Sequence, residues 1–287
     1  MSLQAFAPAK VNLFLHVGPP GADGRHPVCS MAVFADVGDT IFAEPASAPS
    51  LVVEGPFRGD VGPDADNLIT RALDLVGAPP MAVRLIKRLP AASGLGGGSS
   101  DAGAALRLAG RLFPDIGSER IEVAAGRLGA DGLLCLRARA CIAEGEGEIL
   151  SEAPLLPPLH GVLINPGVPS PTGAVYRAYD DGPQADAARP AMSTRFETAE
   201  AVWRFLKTCR NDLEIPACGL APAIADLLGW MRAQPTARFV RMSGSGATCF
   251  ALCEDGAAAQ ALAAAARAHN SAWWVEPMRI DPTKEPG

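Results

Sequence analysis

The stretch LPAASGLGGGSSDAGAALRLAGRLF, residues 89–113, places a run of glycines between a predicted strand and a predicted helix. Four of the five residues at 94–98 are glycines, and two serines and an aspartate follow them. Glycine lets a backbone turn tightly and come close to a ligand, because it carries no Cβ atom. The helix that follows directs unpaired N–H groups and the positive end of its dipole at the loop. Together these features predict an anion site that suits phosphate.

Three interpretations of this glycine run are compatible with the residues alone. It would form a plain strand-to-helix connection, a dinucleotide fingerprint, or a cradle for a nucleoside triphosphate. The fingerprint match extends only to GxGxxS at Gly94, Gly96 and Ser99, and no acidic residue closes a second strand about 20 residues further on. A cradle would lie outside the P-loop class, because the chain has no GxxxxGK[ST] motif and no kinase-type HRD or DFG sequence.

The composition is that of an ordinary globular protein. The 287 residues are 48% hydrophobic and 20% charged, enough for one large core or two modest domains. The net charge of −6 argues against nucleic acid or an anionic membrane as a partner. Seven scattered cysteines without a CxxC pair favour reduced thiols over disulfides or a zinc site. With no signal-peptide pattern and no apolar run near the roughly 20 residues of a membrane span, a cytoplasmic protein is expected.

Strand and helix patterns alternate without a regular βαβ repeat, which favours an α+β fold in two domains. The proline-rich segment SEAPLLPPLH at 151–160 marks the expected boundary, giving domains 1–155 and 156–287. Period-2 patterns predict strands at 9–17 and 81–90, and a pair of strands bent at Gly38–Asp39. A helix is predicted at 66–78, with Asp66 or Asn67 as its cap. A second helix is predicted directly after the glycine run, with Ser99, Ser100 or Asp101 as its cap. Two further helices are predicted at 118–129 and 198–214.

Three further features are candidates for a site. The segment RMSGSGATCF at 241–250 holds a Gly-Ser-Gly loop, either a hairpin turn or a second wall around one bound polyanion. Lys10 and Asn12 share one face of a strand, where the lysine either serves a site or reaches out to water. Asp131 stands between a Gly-Ala pair and an apolar run. A nearby cation such as Lys10 is therefore expected, unless the residue ends a helix in water.

Several segments together resemble one family, in one order over residues 7–253. They are APAKVNLFL (7–15), DGRH (23–26), VGDTI (37–41), DNLITRA (66–72), LPAASGLGGGSSDAGAAL (89–106), LGAD (128–131), AEGEGEIL (143–150), NDLE (211–214) and RMSGSGATCFAL (241–252). This set is similar to the 4-diphosphocytidyl-2-C-methyl-D-erythritol kinase family of the GHMP kinase superfamily. The glycine motif is a signal of the superfamily, whereas APAKVNLFLHV, ADGRH and AEGEGEIL are specific to the family.

The resemblance implies an α+β, two-domain GHMP kinase fold with the active site in the cleft between the domains. The N-terminal ATP-binding domain would be ribosomal S5 domain 2-like, and the C-terminal domain ferredoxin-like. The implied reaction transfers the γ-phosphoryl of ATP, with Mg²⁺, to the 2-hydroxyl of 4-diphosphocytidyl-2-C-methyl-D-erythritol in the non-mevalonate route to isoprenoid precursors. The implied partner is a small-molecule substrate, with no nucleic acid and no membrane, and the chain is expected as a monomer or homodimer.

The resemblance also implies roles for residues that match the family's motifs. Lys10 and Asp131 match the catalytic pair, and Asn67 matches a position near the adenine. His26 matches a residue that hydrogen-bonds cytosine, and no residue is assigned as a metal ligand. The implied triphosphate cradle is Gly94, Leu95, Gly96, Gly97, Gly98, Ser99 and Ser100, and the implied substrate-binding residues are Asn12, Arg25, His26, Tyr176, Gly244 and Gly246.

Two departures from the family's pattern concern the acceptor and the catalytic aspartate. Arg25 stands where the family usually has a tyrosine that stacks on cytosine; a guanidinium plane also stacks on bases, and Tyr176 would supply the other face. Asp131 is followed by Gly132 and Leu133 where the family usually has Val-Pro. Two alternatives therefore stay open at this point: another GHMP small-molecule kinase, of homoserine or mevalonate type, and a nucleotide-binding relative without catalysis.

Overall fold

The computed structural model describes residues 2–61 and 66–283, which form a mixture of strands and helices. The strands are β1 Leu3–Val17, β2 Val28–Pro45, β3 Ser50–Glu54, β4 Met81–Ile86, β5 Cys141–Gly145, β6 Ile149–Glu152, β7 Leu159–Asn165, β8 Phe239–Met242, β9 Cys249–Cys253 and β10 Trp274–Ile280. The helices are α1 Leu68–Val76, α2 Gly97–Leu112, α3 Ser118–Gly126, α4 Gly132–Arg137, α5 Thr172–Asp180, α6 Ala199–Leu206, α7 Glu214–Leu220, α8 Pro222–Arg232 and α9 Gly256–His269. Within the described ranges, no helix has the length and apolar character that a membrane crossing requires.

The long strand β2 organises the sheet of the N-terminal half. β1 pairs antiparallel with β2 along most of its length, while β5 pairs with its first residues and β4 with its last. β6 continues the sheet next to β5, and β3 lies parallel to β4. α1 and α2 share an apolar core with this sheet that includes Ile41, Ile69 and Leu106. This packing holds the start of α2 against β1, the strand that carries the predicted site residue Lys10.

The strands β7 to β10 form the antiparallel sheet of the C-terminal half, in the order β10-β7-β9-β8. α8 and α9 contribute apolar side chains such as Leu227 and Leu262 to the core against this sheet. Ile280 of β10 pairs with Ala35 of β2, which joins the two sheets. Because β1–β6 precede residue 156 and β7–β10 follow it, we propose that the domains are 1–155 and 156–287.

Local signals in the sequence gave correct elements in several places. The strand predicted at 9–17 lies within β1, and the one predicted at 81–90 contains β4. The helix predicted at 66–78 is α1, and Asn67 caps it, because its Oδ1 accepts the Ile69 N–H at 2.8 Å. Gly77 ends the helix in the left-handed conformation that favours glycine.

The glycine run differs from the prediction in where its helix begins. α2 starts at Gly97, ahead of the predicted serine and aspartate caps, and Gly96 occupies the N-cap position at φ 62°. Ser100 and Asp101 lie inside the helix with buried side chains. A left-handed glycine turns the chain sharply enough that no side-chain cap is used, so the helix N-terminus comes directly out of the loop.

Three other segments differ from the predicted boundaries. β2 is one strand rather than two at Gly38–Asp39, but its register with β1 shifts next to this point, since Pro8 pairs with Gly38 and Lys10 with Phe34. The helix predicted at 198–214 ends at Leu206, and Asn211 instead bridges to Leu15 of β1. The helix predicted at 118–129 ends at Gly126, and a separate short helix, α4, begins immediately after Asp131.

Candidate active site

The two glycine loops contact each other directly. The Ser243 hydroxyl donates to the Gly94 carbonyl at 2.9 Å, and the Thr248 N–H donates to the Ser93 carbonyl at 3.0 Å. Gly94 has φ 76°, and a Cβ there would lie 2.3 Å from the Ser243 carbonyl oxygen. The Gly-Ser-Gly segment does connect a hairpin, since β8 and β9 pair antiparallel. The same segment also lies against the first loop, as a second wall would, and its role around a bound polyanion stays a prediction.

A cleft of about 560 Å³ opens where these loops meet, between the two halves of the chain. The N-terminal half lines it with β1, β2, the glycine loop and the turn before α4, and the C-terminal half with the start of α5 and the second loop. Of the predicted site residues, the cleft is lined by Lys10, Asn12, Gly94, Gly96, Gly97, Gly98, Ser99, Asp131, Tyr176 and Gly244. Residues far apart in the sequence therefore share one concave site, which is the usual form of a small-molecule site.

Lys10 and Asp131 form an ion pair on the floor of this cleft. Lys10 Nζ lies 3.1 Å from Asp131 Oδ2 and donates to Asn12 Oδ1 at 2.7 Å. Asn12 is held in turn, because its Nδ2 donates to the Ser30 hydroxyl at 2.7 Å. The lysine side chain is only 6% exposed and the aspartate 36%, so the lysine does not reach out to water and the aspartate faces the cleft. The interpretation of Lys10 as a residue that reaches out to water is therefore wrong, whereas Asp131 has the expected cation beside it and still keeps about a third of its side chain exposed.

The glycine loop lies directly over this ion pair. A Cβ on Gly96 would lie 3.1 Å from Lys10 Cε and 3.5 Å from Asp131 Oδ2. The backbone contact is also direct, since the Lys10 N–H donates to the Leu95 carbonyl at 2.8 Å. The N-terminus of α2 and the ion pair are therefore one site, and an anion on the helix would sit beside the aspartate.

Four predicted site residues have other contacts. The Leu95 side chain is fully buried in the core, and only its backbone belongs to the loop. Ser100 is also fully buried, and its hydroxyl donates to the Pro8 carbonyl at 2.7 Å, so it is not available to a phosphate. Asn67 uses its side chain to cap α1, although its neighbour Leu68 lines the cleft. Gly246 packs away from the cleft, since a Cβ there would lie 2.6 Å from Met242 Sδ.

The predicted acceptor residues Arg25 and His26 are arranged differently from the expectation. His26 Nδ1 lies 2.9 Å from the Gly18 carbonyl oxygen, and His26 Nε2 lies 3.3 Å from Asp180 Oδ1. Both ring nitrogens therefore already have protein partners. Arg25 does not stack in the cleft; its guanidinium is 2.7 Å from Glu146, which raises the Arg25 pKa through this hydrogen bond and charge. Glu146 lines the cleft, and Arg25 is therefore tied to its rim.

Tyr176 lies between this rim and the ion pair. Its ring packs against the His26 ring with centroids 4.9 Å apart. Burial, and then the negative charge of Asp131, raise the pKa of the Tyr176 phenol to about 12. The phenol is therefore neutral near pH 7, and Tyr176 lines the cleft.

Sequence reasoning assigned no role to several polar residues that line the cleft or support its walls. Thr172, at the start of α5, and Ser245 share a hydrogen bond of 2.9 Å between their hydroxyls, and both line the cleft. Asn211 holds the second loop, since its Nδ2 donates to the carbonyls of Met242 and Gly244, both at 2.8 Å. Ser245 and Asn211 fall inside quoted motifs and were findable there, whereas nothing in the local sequence distinguishes Thr172.

The described part of the chain holds no group of three or more His, Cys, Asp or Glu side chains placed to bind a metal ion. A divalent cation in phosphoryl transfer is commonly held by substrate phosphates and water with few protein ligands. The residues of the cleft therefore fit a Mg²⁺ that arrives on the nucleotide better than a metal bound by the protein alone.

The fold and this site together define a kinase of the GHMP class. The chain matches the GHMP kinases N terminal domain over residues 67–134 and the GHMP kinases C terminal family over residues 199–272. The predicted two-domain GHMP kinase fold is confirmed by these matches and by a crystal structure of 4-(cytidine 5'-diphospho)-2C-methyl-D-erythritol kinase. That structure has a TM-score of 0.76 at 33% identity, and the alignment covers 97% of this chain and 100% of that one.

The particular family follows from a full-length relative. A 4-diphosphocytidyl-2-C-methyl-D-erythritol kinase of Caulobacter vibrioides (strain NA1000 / CB15N) is 53% identical over 290 residues, covering 98% of this chain and 100% of the relative. The chain belongs to the 4-diphosphocytidyl-2-C-methyl-D-erythritol kinase family. A homoserine kinase structure from Cytophaga hutchinsonii, with a TM-score of 0.65 at 17% identity over 98% of this chain and 94% of that one, shares the fold.

Proposed function

We propose that this chain transfers the γ-phosphoryl group of ATP to the 2-hydroxyl of 4-diphosphocytidyl-2-C-methyl-D-erythritol, as an enzyme of isoprenoid precursor synthesis. The observation that carries the proposal is the Lys10–Asp131 ion pair directly beneath a glycine loop at a helix N-terminus. In this proposal Asp131 is the proton acceptor and Lys10 the cation beside the point where a terminal phosphate would bind. The membership of the chain in a kinase family supports ATP as the phosphate donor.

The phosphate end of the cleft is the glycine loop and the first turn of α2. The Ser100 N–H bonds to the Gly96 carbonyl within the helix, so the first free N–H groups are those of residues 97–99. We assign these N–H groups, with the backbone of Gly94, to the β- and γ-phosphates. Mg²⁺ on the phosphates would neutralise part of their charge. The adenine would lie toward Asn67 and Leu68, since Leu68 lines the cleft at the start of α1.

The chemistry at the acceptor hydroxyl falls to the ion pair. The hydroxyl oxygen attacks the γ-phosphorus, the bond from that phosphorus to the bridging oxygen of ADP breaks, and the hydroxyl proton passes to Asp131. Lys10 holds Asp131 in place and shares the negative charge on the transferring group. Asn12 fixes the direction of the Lys10 ammonium and lies beside the acceptor. Such positioning and charge stabilisation carry most of the catalysis in phosphoryl transfer.

The acceptor end of the cleft lies between β2 and α5. Tyr176 offers an aromatic face to the pyrimidine, and His26 supports that ring from behind. Arg25, held by Glu146 at the rim, covers the acceptor from the solvent side. Gly244 lets the second loop approach, while Gly246 shapes that loop from within. Thr172 and Ser245 add hydroxyls to the same wall.

The test is the release of ADP with a set of acceptors at fixed ATP and Mg²⁺. Turnover with 4-diphosphocytidyl-2-C-methyl-D-erythritol, and at least a hundredfold lower kcat/KM with the same polyol lacking cytidine, is expected. Homoserine and mevalonate serve as matched alternative acceptors, and turnover of either in preference would assign another GHMP kinase activity. ATP binding without turnover of any acceptor would show a nucleotide-binding relative and contradict the proposal.

A further inference from the structure

Lys87, Asp39 and Asp101 form a charged cluster on the buried side of the glycine loop, outside the cleft. Lys87 Nζ lies 2.6 Å from Asp39 Oδ2 and 2.7 Å from Asp101 Oδ2, and each of the three side chains is at most 5% exposed. Asp39 is fixed in place because its Oδ1 accepts the backbone N–H groups of Arg88 and Leu89. The mechanism proposed above uses none of the three cluster residues.

This cluster contacts the first turn of α2. A Cβ on Gly97 would lie 3.1 Å from Lys87 Nζ, just as one on Gly96 would lie 3.1 Å from Lys10 Cε. The two lysines therefore flank the loop, one on the cleft side and one on the buried side. Asp101 belongs to α2 itself, about one turn beyond the helix start. A full negative charge on Asp101 would repel a phosphate bound at that helix N-terminus.

The cluster has two carboxyl groups for one cation. Asp101 Oδ1 is buried, and among the described residues it has no hydrogen-bond partner. Burial raises the pKa of Asp101 to about 8; the Lys87 charge opposes this rise, and the Asp39 charge and a hydrogen bond to Asp39 reinforce it. Burial works to lower the pKa of Lys87, but the charges of Asp101 and Asp39 outweigh it and the pKa is raised. An uncompensated buried charge is costly, so two carboxyl groups beside one ammonium favour a neutral cluster in which one carboxyl holds a proton. Asp39 Oδ1 accepts two backbone N–H groups, whereas Asp101 Oδ1 has no partner among the described residues, so Asp101 is the carboxyl that we infer to be protonated.

We propose that the Lys87–Asp39–Asp101 cluster is an electrostatic positioning element of the triphosphate site. In its neutral form it leaves the positive end of α2 available to phosphate, and a carboxylate on Asp101 weakens that binding. The cluster acts through the backbone of α2 and touches neither substrate, so its members are positioning residues. The inference rests on the proposed function, because it requires the triphosphate to bind at the glycine loop.

The test compares the wild type with D101N between pH 7 and pH 9.5. The amide has the shape of the acid and stays neutral across this range. For the wild type, KM for ATP is expected to rise roughly tenfold over the range at unchanged kcat, and for D101N it is expected to stay flat. D74N removes one exposed carboxylate from the neighbouring helix α1 and serves as the matched control, which should follow the wild type. ATP affinity measured by calorimetry over the same range separates binding from turnover.

The outcomes separate this inference from the function on which it rests. Absence of ATP binding by the wild type overturns both. ATP binding with a flat wild-type profile, or with parallel profiles for the wild type and D101N, overturns the inference and leaves the kinase function intact. If D101N does not fold, a flat wild-type profile of ATP affinity measured by calorimetry still overturns the inference. A loss of thermal stability in D101N with an unchanged KM profile would assign the cluster to folding alone and would also overturn the proposal.

Discussion

Replacing Gly94 with alanine tests whether the two glycine loops support each other. Gly94 has φ 76°, a region that costs a residue with a Cβ about 1–3 kcal/mol. The new Cβ would also lie 2.3 Å from the Ser243 carbonyl oxygen and 2.9 Å from that of Gly246, both backbone atoms that cannot turn away. Overpacking of this kind costs a further 1–3 kcal/mol or so. The expected loss in the free energy of unfolding is therefore about 2–6 kcal/mol.

Gly24→Ala is the matched control for the backbone strain. Gly24 has φ 79°, but a Cβ there meets nothing within 4 Å, so only the strain of about 1–3 kcal/mol applies. Both variants are compared by urea denaturation with linear extrapolation, and the KM for ATP of Gly94→Ala is measured as well. We expect Gly94→Ala to be less stable than the control by at least 1 kcal/mol or so, with a raised KM for ATP. Equal stability of the two variants would refute the close packing of the loops.

The remaining predictions concern the ion pair, the second loop and the thiols. Asp131→Asn should still bind ATP, as measured by calorimetry, but its kcat should fall by roughly a hundredfold or more. Lys10→Ala should lower kcat to a similar extent. Near-normal turnover of Asp131→Asn would show that Asp131 is not the proton acceptor. Asn211→Asp places a carboxylate oxygen against two carbonyl oxygens and should lower the free energy of unfolding by about 2–4 kcal/mol. Asn165→Asp is the control and should cost less, because its partner is the Thr248 hydroxyl, which can rotate to donate to the new oxygen. Burial raises the pKa of the partly exposed Cys141 thiol to about 11, so it stays protonated and unreactive at pH 7.5. Iodoacetamide at that pH should leave activity unchanged, and rapid inactivation would contradict this.

The glycine run shows what could be read from the sequence and where that reading stopped. The strand, the loop and the helix were correctly ordered, since glycine content and helical periodicity depend on neighbouring residues. The role of each side chain was not readable, because it depends on what lies beneath the helix. Ser100 faces the Pro8 carbonyl of β1 rather than the cleft, and Asp101 faces Lys87. Resemblance to a family assigned the whole loop to phosphate, and packing divides it into a cleft side and a buried side.

The acceptor end shows the same division. The sequence marked Arg25 as a departure from the family's pattern, but its partner Glu146 became visible only in the folded chain. Likewise, the motif NDLE was recognised without a role, and the structure shows Asn211 holding the second loop through two carbonyls. Both contacts join segments that are distant along the chain, which local periodicity and capping rules do not describe.

The residues and the family motifs alone predicted the class of fold, a phosphate-binding loop after β4, Asp66 or Asn67 as the cap of α1, and Lys10 and Asp131 as a pair. These follow from backbone propensities, local spacing and family motifs. The packing of distant segments shows that Lys10 Nζ lies 3.1 Å from Asp131 Oδ2 beneath the loop, which serines face the cleft, and that a second lysine, Lys87, lies behind the same helix turn. The physical reason is that local rules set the conformation of the backbone, whereas the partner of a buried charge is set by which distant segments pack against it.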